Sequence, residues 1–377
     1  MLARAPQAVL LAAAGLALLL GLTGALVLLG LSMPEAALPL GGAHGLLMAF
    51  GFLGTLVTLE RAVALGRRWG YLAPLASVAG AAALVVGATV LASVLFVVAG
   101  LVFVLVYVAF DRRERSLHGA VQAVGALAWL GGALLLASGR PIADLVPWLA
   151  AFLVLTILGE RLELSRLLRP SERSRRTFVA AVLVFAVGVA LTAIDPVAGG
   201  RLAGLGMLGL AAWLGRNDLA RRTIHARGVT RFIASSLLPG YAWLAVAGTI
   251  WLARGVPPDG TAAYDAGLHA IFLGFVISMV FGHAPVILPA VLRLALPYRP
   301  RFYGHLALLH LGLLVRIAGG DVLGSAAAWQ LGGVLNVTAL LVFLASSVVA
   351  ALEGWRENRG AVLQRDGSAP EAPRPFG

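Results

Sequence analysis

The stretch LGGAHGLLMAFGFLGTLVTLER, residues 40–61, carries the pattern that decides the fold. It belongs to an apolar run over residues 42–65, with His44 near its beginning and the charged pair Glu60-Arg61 near its end. A helix needs about 20 apolar residues to cross the hydrocarbon core of a bilayer. The run therefore predicts a transmembrane helix.

Eleven more runs of this kind predict an all-α polytopic membrane protein of about twelve transmembrane helices. The tenth run contains Pro285 and Pro289, which should kink or end its helix. The approximate spans are 8–32, 42–65, 71–90, 92–110, 117–138, 145–164, 177–195, 199–215, 232–253, 266–292, 303–319 and 324–352.

The composition agrees with a chain that lies almost entirely within a bilayer. Hydrophobic residues make up 60% of the chain and charged residues only 12%, whereas a soluble domain has about a quarter charged residues. The absence of cysteine excludes disulfides, iron–sulfur clusters and thiol catalysis. The net charge of +12 comes from arginines in short loops, which indicates membrane topology rather than a nucleic-acid partner.

The distribution of the 29 arginines predicts the orientation of the spans. With a cytoplasmic N-terminus, only Arg140, Arg201, Arg254 and Arg316 fall on the outer side, as the positive-inside bias requires. We therefore predict one transmembrane domain at residues 1–356, with both ends cytoplasmic, in a bacterial cytoplasmic membrane. Residues 357–377 are rich in Pro, Gly and charge, and are predicted to form a disordered cytoplasmic tail.

Similar segments recur in the second, sixth and tenth spans. FLGTLVTLER at 52–61 resembles FLVLTILGER at 152–161, and HGLLMAF at 44–50 resembles HAIFLGF at 269–275. Consecutive members of this set are offset by four helices, so the chain is expected to contain three four-helix units. Major-facilitator transporters repeat by six or three helices instead.

His44 and His269 are the first candidate ligands. Both lie near the beginning of spans that run from outside to inside, so they are expected at the same depth near the outer face. An ionisable group within a span suggests a functional site. Two neutral imidazoles on different helices can ligate one haem iron from opposite sides. The alternative is that both rings lie at the membrane interface without a ligand.

His283, His305 and His310 are candidates for a second metal site, for example copper, in the inner half of the membrane. His305 and His310 are five residues apart, about 140° around a helix, so they cannot easily share one metal. Hydrogen bonding within the bundle is the alternative interpretation for all three. Glu60-Arg61 and Glu160-Arg161 are expected to form ion pairs at the inner ends of their spans.

The segments AHGLLMAFGF at 43–52, LHAIFLGFVISM at 268–279, Gly282-His283 and LLVRIA at 313–318 resemble the NnrS branch of the haem–copper oxidase subunit I superfamily. NnrS proteins are bacterial membrane haem proteins associated with the response to nitric oxide. The resemblance implies three arcs of four helices, with a low-spin b-type haem between His44 and His269. It also implies that Arg316 binds a haem propionate, whereas the alternative is an ordinary interfacial arginine.

The chain also departs from the oxidases, which hold a second metal with histidines on spans six and seven. Neither span contains a histidine here, so no conventional oxygen-reducing binuclear centre is expected. The resemblance implies electron transfer, or binding of nitric oxide or another small gas, with an unidentified electron donor. If the protein is an enzyme, it would be a haem-dependent oxidoreductase. The alternatives are a twelve-span secondary transporter and a haem-free accessory factor.

Overall fold

Long runs of Leu, Ala, Val and Phe form helices because a helix satisfies its backbone polar groups internally, which a bilayer requires. The computed structural model describes residues 5–165, 168, 170–292 and 297–367. Throughout these ranges the regular structure is helical and no strand is present. Eleven helices of the described chain are long and apolar enough to cross a membrane. The protein is thus an all-α polytopic membrane protein.

We number the helices in chain order and leave a four-residue helix at Ala220–Thr223 unnumbered. They are α1 Ala5–Leu28, α2 Glu35–Leu65, α3 Leu72–Val85, α4 Thr89–Asp111, α5 Leu117–Ala137, α6 Ile142–Ser165, α7 Glu172–Leu191, α8 Pro196–Asn217, α9 Gly228–Arg254, α10 Ala262–Leu292, α11 Phe302–Val322 and α12 Ala326–Gly367.

The third predicted span is shorter than expected. α3 has 14 residues, about 21 Å of helix, and follows a 3₁₀ turn at Arg68–Tyr71. It lies alongside α2, since Ser77 Oγ donates a hydrogen bond to the Phe50 carbonyl oxygen at 2.6 Å. Thr55 Oγ1 also donates to Ser77 Oγ at 3.2 Å. The bundle therefore has twelve helices, eleven of which qualify as spans by their own length.

α2, α6 and α10 lie near the centre of the bundle. Among the membrane-length helices of the described chain, α6 has the largest share of buried residues in its apolar 18-residue stretch, 72%, and α10 has the second largest, 61%. α10 contacts both α2 and α6. The central position suits the prediction that these three helices are equivalent, but the four-helix repeat itself stays a prediction.

An aromatic cluster joins α2, α4, α5 and α6. The Trp129 ring lies 5.0 Å from the Phe50 ring and 4.8 Å from the Phe152 ring, measured between centroids. Its Nε1 donates a hydrogen bond to the Phe96 carbonyl oxygen at 3.0 Å. Gly54 makes room for this indole, because a Cβ there would overlap the Trp129 ring. The cluster packs α2, the helix that carries His44, against α4, α5 and α6.

Three helices change from α to π geometry within the membrane. The π-helical stretches are Leu47–Gly54 in α2, Ala270–Ile277 in α10 and Val315–Val322 in α11. The first two begin shortly after His44 and His269, and the third contains Arg316. Short π-helical stretches within α-helices often occur at functional sites. All three of these residues thus lie at or beside local departures from regular helix.

α12 continues to Gly367, so residues 357–367 are helical rather than disordered as predicted. Ion pairs support the helix at this inner end. Arg299 binds Glu353 at 3.0 Å and Glu357 at 2.7 Å, and Arg301 binds Glu353 at 3.0 Å. These pairs join α12 to the loop before α11. The rest of the predicted tail, residues 368–377, lies outside the described residues.

Candidate functional site

His44 is anchored by the neighbouring helix α1. Its Nδ1 lies 2.7 Å from the carbonyl oxygen of Gly21, so Nδ1 carries the proton and donates the hydrogen bond. Nε2 has no hydrogen-bond partner among the described residues. The ring is half-buried. This arrangement leaves Nε2 with a free lone pair, as in histidines that bind metals.

His269 on α10 has the same arrangement. Its Nδ1 lies 2.8 Å from the carbonyl oxygen of Asp265 and 3.3 Å from Asp265 Oδ1. Within the described chain its Nε2 also has no partner. The side chain is 16% exposed. Both histidines therefore present an unprotonated Nε2 and hold their rings through Nδ1.

The structure brings His44, His269 and Arg316 into one neighbourhood. His44 is near enough to both of the other side chains for their charges to interact. The α1–α2 pair carries His44, while the contact between α10 and α11 places His269 beside Arg316. The two predicted haem ligands are thus near each other despite their separation in sequence.

Arg316 binds a carboxylate of the protein itself. Its Nε and Nη2 donate to the two oxygens of Asp265 at 2.7 and 2.6 Å. The guanidinium carbon also lies 4.7 Å from the centroid of the Trp329 ring. Arg316 is 6% exposed. The bidentate pair uses two of the five N–H groups, so the two on Nη1 and the second on Nη2 are those that a haem propionate could accept from.

Asp265 was missed in the sequence analysis, although it connects His269 to Arg316. The spacing in the sequence does indicate this residue, because Asp265 precedes His269 by four residues, which places both on the same helix face. An acidic residue within an apolar span is also a functional hypothesis by itself. Asp265 therefore belongs to the site as the residue that positions His269 and Arg316.

His283, His305 and His310 lie in three separate environments. His283 Nε2 accepts from Arg161 at 3.0 Å, and His310 Nδ1 accepts from Trp243 Nε1 at 3.1 Å. His305 is buried among aromatic rings, with both ring nitrogens unpaired. The described residues contain no group of three or more His, Asp or Glu side chains arranged to hold a metal. The contacts thus bring no shared second metal site together.

Two ion clusters lie at the C-terminal ends of α2 and α6. Arg61 Nη2 binds Glu60 at 2.9 Å, as predicted, and also binds Glu160 of α6 at 2.6 Å. Arg161 does not pair with Glu160 as predicted, because it forms a bidentate pair with Asp218 at 2.8 and 3.1 Å. Arg61 thus keeps its neighbour in sequence and gains a partner from α6, whereas the partner of Arg161 comes from a distant part of the chain.

The chain belongs to the DUF8744 family, described as a domain of unknown function, which matches residues 7–352. No curated protein and no solved structure matched the chain. The family match covers every described helix at least in part, including His44, His269 and the inner ion clusters.

Proposed function

We propose that this member of the DUF8744 family is a membrane haem protein similar to NnrS, with His44 and His269 as axial ligands of one b-type haem. The observation that carries the proposal is that the two imidazoles have the same hydrogen-bonding arrangement. Each ring donates through Nδ1 to a backbone carbonyl and leaves Nε2 unpaired, within electrostatic range of the other ring. The chain has no cysteine for covalent haem attachment, so the b type fits.

The donor set indicates what such a haem would do. Two histidine ligands fill both axial positions, which suits electron transfer. Binding of nitric oxide would require one histidine to leave the iron. We place the site near the outer face of a bacterial cytoplasmic membrane, in the orientation predicted from the arginines. A role in the response to nitric oxide is part of this proposal.

Visible spectroscopy of the purified protein tests the haem. We expect a sharp α-band after reduction with dithionite, and its loss in His44→Ala and in His269→Ala. His225→Ala is the matched control, because His225 is a loop histidine outside the site. A folded wild-type protein that stays colourless when haem is supplied would overturn the proposal, as would an unchanged spectrum in both site variants.

A haem-free secondary transporter is the second candidate. It is favoured by a cavity of about 600 Å³ in the inner half of the bundle, which contains Glu60 and Glu160 in its wall. A transporter needs a substrate site near the centre of the membrane, typically with ionisable groups. A fully folded protein that shows no haem spectrum would favour this candidate over the first.

A further inference from the structure

The inner cavity has a mostly apolar wall with an acidic end. Its volume is about 600 Å³, and five helices bound it. Glu60 and Glu160 are the last lining residues of α2 and α6 on the inner side, so they lie together at the inner end of the cavity. The lining segments are 8–19, 52–60, 153–160, 276–289 and 343–351.

The cavity opens sideways toward the lipid. Its wall includes Leu16 and Leu19 of α1 and Val348 of α12, which are 57%, 39% and 52% exposed. These residues lie in the middle of long apolar helices, at membrane depth. A molecule dissolved in the bilayer can therefore reach the cavity along these exposed apolar residues.

Each of the two carboxylates at the acidic end has one oxygen that is free to accept a hydrogen bond. Glu60 and Glu160 each use Oε1 to bind Arg61 Nη2. In the described chain neither Oε2 has a partner, and neither is among the buried unpaired atoms, so both reach open space. The two carboxyl groups share one guanidinium. His283 in the same wall has both ring nitrogens engaged, with Met279 and Arg161.

We propose that this cavity binds a membrane-soluble hydroquinone, with its tail along the apolar wall and its hydroxyls donating to Glu60 Oε2 and Glu160 Oε2. Carboxylate oxygens accept hydrogen bonds, so the acidic end matches hydroxyl donors better than phosphate or carboxylate heads, which are acceptors themselves. A hydroquinone is neutral, so its head can enter from the lipid without the cost of moving a charge through hydrocarbon. It also carries two hydroxyl donors for the two free acceptors.

The position of the cavity suits an electron donor, a role that rests on the proposed haem function. On α2 the lining begins at Phe52, eight residues or about 12 Å along the helix from His44. On α10 it begins at Val276, seven residues or about 10 Å from His269. The bound molecule would lie directly inward of the histidine pair.

Direct binding of decylubiquinol to the purified full-length protein, measured by equilibrium dialysis without oxygen, tests the proposal. Glu60→Gln and Glu160→Gln should each weaken binding by about tenfold or more, because the amide group replaces an acceptor oxygen with a donor. Glu163→Gln is the matched control. Glu163 also lies at the inner end of α6, but it is 53% exposed and does not line the cavity. Its affinity should equal that of the wild type.

A second pair of variants tests the cavity without altering its charge. Gly15 lines the cavity, and a Cβ there would meet nothing within 4 Å, so Gly15→Leu should narrow the cavity and weaken binding without disturbing the fold. Gly304→Leu is the matched control, because a Cβ at Gly304 also meets nothing within 4 Å and this residue is outside the cavity. The thermal midpoint of each variant verifies folding.

Four results would overturn the proposal. Three are the absence of decylubiquinol binding, equal binding of its dimethyl ether, which lacks the hydroxyl donors, and unchanged binding by Gly15→Leu. The fourth is preferential binding of decylamine, which would favour a lipophilic cation. Because the assay measures binding and not reduction, a colourless protein that binds decylubiquinol contradicts the haem alone, and a red protein that does not bind it contradicts the cavity assignment alone.

Discussion

His305 and His310 differ in their hydrogen bonding although they lie only five residues apart on α11. His310 accepts from Trp243 Nε1 and lies 3.3 Å from Ser278 Oγ, which itself donates to the Ser236 carbonyl oxygen. The His310 Nε2–H therefore donates to Ser278. His305 is 1% exposed and has no partner on either nitrogen, with the Phe281 ring 4.6 Å from its own. The same residue type thus has a polar role at one position and an apolar role at the other.

We expect His305→Leu and His310→Leu to affect stability differently. His310→Leu should lower the free energy of unfolding by about 1–3 kcal/mol, because it leaves the buried Trp243 N–H without an acceptor. His305→Leu should change it by less than about 1 kcal/mol, because it removes two unpaired nitrogens while losing ring contacts. Thermal unfolding in detergent measures both. A loss of bound copper in His305→Leu would instead support the second metal site.

At the residue scale, the sequence located His44 and His269 but not their anchors. Both histidines were recognised because an ionisable side chain in an apolar span is uncommon. The Gly21 carbonyl that fixes His44 could not be identified, since every residue of α1 offers a carbonyl and only the packing of α1 on α2 selects one. Asp265 was identifiable from its spacing to His269, whereas its bond to Arg316 depended on the contact between α10 and α11.

At the scale of helices, close approach between α11 and α12 depends on glycine. Gly332 of α12 faces the backbone of Arg316, and a Cβ at Gly332 would overlap that backbone and lie 2.6 Å from the Gly312 carbonyl oxygen. Small residues allow membrane helices to approach closely, which increases their van der Waals contact. The close approach of α11 and α12 places the Trp329 ring of α12 beside the guanidinium of Arg316.

Gly332→Ala should therefore destabilise the protein by about 1–3 kcal/mol, because the added methyl group must push α11 and α12 apart. Gly304→Ala on α11 is the matched control, since the new Cβ would meet nothing within 4 Å. There the higher helix propensity of alanine should stabilise the chain by up to about 1 kcal/mol. The thermal midpoint of unfolding should fall in Gly332→Ala and rise in Gly304→Ala. Equal midpoints for the two variants would contradict this account of the interface.

At the scale of the whole molecule, the short helix α3 decides the topology. If α3 crosses the membrane, the chain crosses twelve times and both ends lie on the same side. If it does not, the eleven long spans place the two ends on opposite sides. Both hydrogen bonds that join α3 to α2 go through Ser77, which fixes α3 beside the middle of α2. We predict that α3 crosses, because the arginine distribution requires an even number of spans.

Reporter fusions test this count. Green fluorescent protein fused to either terminus should fluoresce in bacterial cells, because we predict both termini to be cytoplasmic. Alkaline phosphatase inserted after Gly260, in the loop between α9 and α10, should be active because that loop is predicted to be outside. Fluorescence from only one of the two terminal fusions would show that α3 does not cross.

The sequence by itself determined that this is a multi-span helical membrane protein, and it located the apolar runs that become helices. This information is local, because each span must bury about 20 apolar residues whatever its neighbours are. Only the tertiary structure decided that Arg61 bridges Glu60 and Glu160, that Arg161 pairs with Asp218, and that a cavity lies between five helices. These features join residues far apart in the chain, so they depend on which helices pack together.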